Sequence, residues 1–99
     1  MNSTEQHTLA LMIINSGDKH ANSYELCKIL AWRFNIINCH EIINFLKSNK
    51  SIDSINDTGS ISDFVLTRNG LEILKKYRLL TIEKLKVEFP NEHIIIGQL

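Results

Sequence analysis

The stretch NSYELCKILAWRFNIINCHEIINFLKS, residues 22–48, reads as two amphipathic helices joined by a tight turn. Asn22 stands three residues before Glu25, so its side-chain oxygen can accept an orphaned backbone N–H while the glutamate reaches back to the cap. Behind that start, Leu26, Ile29 and Leu30 form an apolar face that carries a helix to about Arg33. In the turn that follows, Asn35 is the residue best able to adopt a positive φ. Asn38, three residues before Glu41, can then cap the next helix. On that helix Cys39, Ile42, Ile43 and Leu46 recur at i, i+3, i+4 and i+7 and must face a core. His40, Glu41, Asn44, Lys47 and Ser48 point the other way. Two helices joined so closely cross steeply, which sets one face of the second outward.

Upstream, Ser3 and Gln6 have the spacing of a reciprocal helix cap. Leu9, Met12 and Ile13, widened by Leu11 and Ile14, then predict a first helix over residues 4–16. Ser16-Gly17-Asp18-Lys19 supplies a stop, with Gly17 free to take the left-handed conformation. Downstream of Lys50 the period changes from helical to alternating. Ile52, Ile55, Ile61, Phe64 and Leu66, interrupted by the turn formers Asn56-Asp57-Thr58-Gly59-Ser60, predict a hairpin over 51–66.

Thr67 can cap a further helix, expected to reach about residue 88 because nothing breaks it before Pro90. Alternation of Leu85, Val87 and Phe89 also permits a strand there. The tail from His93 to Leu99 is too apolar to stay in water and should pack on its own core or on a second copy. The expected fold is mainly α with a small β-hairpin, in one domain over 1–99. Its core spans 4–77, and 78–99 forms a C-terminal helix and tail available for dimerisation.

At 99 residues with 43% apolar side chains, the chain can build one core, but a domain so small gains from association. Eleven basic and eleven acidic residues cancel, so the distribution of charge matters more than its sum. Four basic and two acidic side chains over 22–50 leave that segment at +2, whereas Asp53, Asp57 and Asp63 give 51–66 a charge of −3. Lys75, Lys76, Arg78, Lys84 and Lys86 alternate with Glu72, Glu83 and Glu88 and read as a solvated helix face. No apolar run approaches a membrane span and no basic start precedes an apolar block, so a cytoplasmic protein is expected. With no export signal, Cys27 and Cys39 should be reduced, half-buried core residues.

No metal, cofactor or enzymatic role is expected. Structural zinc needs four ligands at short spacing, and the sequence offers none. Cys39 and His40 are adjacent on a helix, so they point about 100° apart and cannot act as a nucleophile and its base. Paired carboxylates, a glycine-rich phosphate loop and a nucleophile turn are all missing. His7, His20 and His93 read as scattered surface residues.

From Ser23 to Leu74, about half its length, the chain resembles a winged helix-turn-helix of the MarR or PadR kind. The resemblance lies in SYELCKIL at the second helix, FNI at the turn, FLKSNKSI at the step into the hairpin, and above all FVLTRNGLEIL. Asn35 and Asn49 stand where such proteins usually have glycine. The resemblance implies a three-helix core, a two-stranded wing and a C-terminal helix. It also implies double-stranded DNA as the partner, with the third helix in the major groove and the second across the backbone.

On that implication Asn38, His40 and Asn44, with Glu41 on the same face, meet base edges, while Lys28, Lys47, Lys50 and Ser48 hold phosphates. A homodimer would present two such helices to successive grooves. An acidic wing is repelled by phosphate, which keeps open an alternative partner, a protein, docked on the third helix and wing. Trp32 and Phe45 would anchor it, unless they are core or dimer residues, as such side chains usually are.

Overall fold

The computed structural model describes residues 1–17, 22–58 and 61–99. Around α1 (Ser3–Ser16) pack α2 (Ser23–Phe34), α3 (Cys39–Ser48), the second strand of an antiparallel pair, β1 (Ile52–Thr58) and β2 (Ile61–Leu66), and the long α4 (Arg68–Glu88). The architecture is therefore mainly helical with one two-stranded sheet. Because α4 returns over the side of α1 that α2 and α3 leave open, the whole run Thr8–Ile14 is buried, not only one stripe of it. Thr8, a polar residue in that run, is satisfied by donating from Oγ1 to the Thr4 carbonyl at 2.8 Å.

Local chemistry sets the element ends. The α1 cap is Asn2, not Ser3: Asn2 Oδ1 accepts from the Glu5 N–H and Glu5 Oε1 accepts from the Asn2 N–H, both at 2.8 Å. Asn2 and Glu5 form the same kind of box one residue earlier, with a carboxylate added at the positive helix end. Gly17 is extended at φ −75°, so α1 ends without a left-handed residue. The Asp18 and Lys19 part of the expected helix stop, the hairpin turn at Gly59 and Ser60, and the side chains of Asn56, Asp57 and Thr58 lie outside the described residues.

At the α2 start Asn22 Oδ1 accepts from the Glu25 N–H at 2.7 Å, which is the cap half of the expected reciprocal pair. Asn35 takes φ 54°, and its N–H and that of Ile36, the latter at 2.9 Å, both donate to the Leu30 carbonyl, closing α2 through a left-handed residue. Asn38 does not cap α3 with its side chain. At ψ 40° it lies outside the extended conformation from which a cap reaches back, and its Nδ2 donates to Gln6 Oε1 at 3.4 Å.

After α3 the left-handed residue is Lys50, at φ 60°, and not Asn49. Asn49 Oδ1 instead accepts from the Ser51 N–H at 3.1 Å and from Ser51 Oγ at 2.6 Å, a side-chain turn that leaves the reversal to its neighbour. β1 and β2 pair in the register Ile52↔Leu66 and Ser54↔Phe64, with an irregularity between Ile55 and Thr58. A single bridge, Asn22↔Asp63, together with the Ser62 N–H donating to Ser23 Oγ at 3.2 Å, ties β2 to the start of α2.

Thr67 caps α4, which ends at Glu88 before Pro90, so the strand alternative does not form. Past a short turn (Pro90–Glu92), α5 (His93–Gln98) folds back. Ile96 is 2% exposed within the chain's own core and Ile95 packs partly against it.

Candidate functional site

The face of α3 divides as its spacing requires. Cys39, Ile42, Ile43 and Leu46 are buried, while His40, Glu41, Asn44, Lys47 and Ser48 are all exposed. Lys47 Nζ lies 5.5 Å from the centroid of the Phe64 ring, so its stem runs toward β2 while the ammonium stays in water. Lys50 follows on the exposed side, at the reversal that α4 holds from beneath. There Thr67 Oγ1 donates to the Lys50 carbonyl, Asn69 Nδ2 donates to the Asn49 carbonyl at 2.9 Å, and the Thr67 N–H donates to the Ser51 carbonyl at 3.0 Å. The sequence TRNG thus serves as a clamp on the end of α3.

Asn38 stands apart from this face. It is half-buried with its amide turned to Gln6 of α1. Phe45, on the flank of α3, is partly exposed and stacks on His7 with centroids 4.0 Å apart and planes 11° from parallel. His7 is accordingly half-buried, not a scattered surface residue, and burial pushes its pKa below the ordinary histidine value. His20 lies outside the described residues; His93 is exposed.

Lys28 occupies a second cluster along α2, where Tyr24, Lys28 and Trp32 fall one helical turn apart. The Lys28 ammonium lies 5.9 Å from the Tyr24 ring centroid and 5.1 Å from that of Trp32. Trp32 is 78% exposed, so it is not a residue of the chain's own core. The side of α2 it occupies is opposite Leu26, Leu30 and Phe34. The spacing of 24, 28 and 32 carried this signal in the sequence. These side chains, with Cys27, His40 and Ile61, line an open cavity of about 500 Å³ between α2, the first turn of α3 and the hairpin.

The cysteines are not reduced: Cys27 and Cys39, 12 positions apart in sequence, form a disulfide with Cα atoms 5.4 Å apart. The packing of α2 against α3 brings the two positions within bridging range, a tertiary geometry that the expectation from the missing export signal did not take into account.

Lys28 and His40 therefore share one cavity, whereas Asn44, Lys47, Ser48 and Lys50 belong to the other end of α3. Two acidic residues are likewise exposed, Glu41 on α3 and Asp53 on β1. Arg33 is drawn off to Glu92 at 3.6 Å. Among the described residues no three His, Cys, Asp or Glu side chains gather as metal ligands, and no helix is long and apolar enough to cross a membrane. Comparison with protein-family models, with curated proteins and with solved structures gives no match to this chain.

Proposed function

We propose that the chain is a winged helix-turn-helix, cytoplasmic and DNA-binding, acting as a regulator of transcription. The observation that carries the reading is the uncovered outer face of α3, where Asn44, His40 and Lys47 stand exposed above a fully buried apolar seam. The element order supports the winged form. The Asn22↔Asp63 bridge, which ties β2 to the start of α2, keeps the hairpin against the helical core as that form requires. Asn44 suits a bidentate contact with adenine, and Lys28, Lys47 and Lys50 supply phosphate contacts.

The DNA-competent form in this reading is a homodimer closed by α4. Leu79 and Leu80 are 75% and 63% exposed on its outer side, between Lys76 and Glu83. An antiparallel second copy centred between the two leucines sets each Lys76 opposite a Glu83. The tail contributes less than its sequence suggests, since Ile96 is spent on the chain's own core.

Fluorescence anisotropy with random duplex DNA across a salt series tests the reading. Three lysine–phosphate contacts per protomer give log K against log salt a slope of about −3 per protomer. Absence of binding at low salt would reject it. It would favour a protein partner, the reading supported by exposed Tyr24, Trp32 and Ile61 around one cavity.

A further inference from the structure

The structure assigns a second role to that cavity: it is the access route to a thiol-exchange site, at which an external thiol opens the Cys27–Cys39 bond and releases the first turn of α3. The assignment stands on the fold and is independent of what α3 binds.

The two sulfurs differ in access. Cys39 is 5% exposed, whereas Cys27 is half-buried and forms part of the wall of the open cavity of about 500 Å³. An incoming thiolate therefore reaches the Cys27 sulfur, with the Lys28 ammonium on the same wall to attract an anion. Attack forms a mixed disulfide on Cys27, breaks the bond to Cys39, and Cys39 leaves as a thiolate that takes a proton from water. When the reagent is a dithiol, its second thiolate attacks its own sulfur in the mixed disulfide. It expels Cys27 as a thiolate, which is protonated in turn, and departs as the oxidised cyclic disulfide. Two electrons pass from dithiol to protein.

The consequence follows from how the two ends of α3 are held. The C-terminal end is fixed by Ser51 donating to the Leu46 carbonyl at 2.8 Å and by the clamp from Thr67 and Asn69. The N-terminal end has no side-chain cap, and the amide contact of Asn38 to Gln6 is long at 3.4 Å. The disulfide is the covalent tie between that end and α2. Once it opens, the turn carrying His40 and Glu41 loosens while Lys47 and Lys50 stay in place.

Two measurements on the full chain decide the matter. Native oxidised protein is treated with glutathione, quenched in acid and mapped by peptide mass, and the adduct is expected on Cys27 with Cys39 free. An adduct on Cys39, no reaction without denaturant, or free thiols in the air-oxidised protein would overturn the assignment. Hydrogen exchange is then compared with and without dithiothreitol. Amides of residues 42–44, the first to be hydrogen-bonded in α3, should lose protection by about tenfold or more, while that of Ser51 is unchanged. Equal protection in both states would sink the release of α3. The double variant Cys27→Ser with Cys39→Ser should reproduce the reduced pattern; if it fails to fold, reduced wild type still gives the answer.

Discussion

Gly70 in the first turn of α4 lies so close to Ser51 that a Cβ built on it would clash with the Ser51 carbonyl oxygen. That oxygen is backbone, fixed by the Thr67 N–H at 3.0 Å, and has nowhere to yield. The glycine is thus what lets α4 press against the turn after α3 and hold Lys50 at its positive φ.

Gly70→Ala sets two effects against each other. Replacing a helical glycine with alanine gains roughly 1 kcal/mol in propensity. A clash with fixed backbone costs about 1–3 kcal/mol or more, because the turn must move. The clash wins, and chemical denaturation should show a net loss of about 1–2 kcal/mol. A stabilised variant would mean that the close approach does not exist in solution.

His7 gives a pH signature. Burial beneath Phe45 lowers its pKa, so as pH falls the unfolded chain takes up the proton before the folded one does. Stability is full above the ordinary histidine value of about 6.5 and declines as pH drops from there through the lowered folded value. His7→Phe keeps a stacked ring and removes the proton site. Urea midpoints measured from neutral to mildly acid pH should fall less steeply for the variant than for wild type. Parallel curves would show that His7 is not buried against Phe45.

Much of this arrangement was open to reading in the residues, and the exceptions share a physical cause. The seam Cys39, Ile42, Ile43 and Leu46 has an unmistakable period, and the buried and exposed faces of α3 follow it. Asn35 stood in a short turn where few residues tolerate positive φ, and it takes that role. Features set by tertiary neighbours were not legible. α1 is buried on every side because α4 covers it, Lys50 turns because Asn49 is engaged with Ser51, and Asn38 is withdrawn by Gln6. The disulfide depends on the angle between two helices, which spacing alone does not give.

The dimer reading makes α4, not the tail, the sensitive element. Leu80→Asp puts a charge at the proposed two-fold centre on a side chain 63% exposed in the single chain, so the fold itself should tolerate it. Light scattering should report half the wild-type mass, with the self-association constant weakened by about tenfold or more. Ile95→Asp is the contrasting variant. Ile95 packs partly on the chain's own core, so its replacement should lower the melting temperature. A wild-type chain that is monomeric at high concentration would remove the dimer from the proposal.

Asn44 and Lys47 lie three positions apart on the exposed face of α3, and the proposed function assigns them different work. An amide that reads a base should discriminate, so Asn44→Ala should cost about 1–3 kcal/mol on a selected high-affinity duplex and almost nothing on random DNA. An ammonium that meets a phosphate is indifferent to sequence. Lys47→Ala should therefore weaken binding to both duplexes alike and reduce the salt slope by about 1. The Lys47 ammonium also lies over Phe64, so the fold of that variant must first be checked by circular dichroism. If both substitutions leave affinity and slope unchanged in folded protein, the outer face of α3 is not where DNA binds.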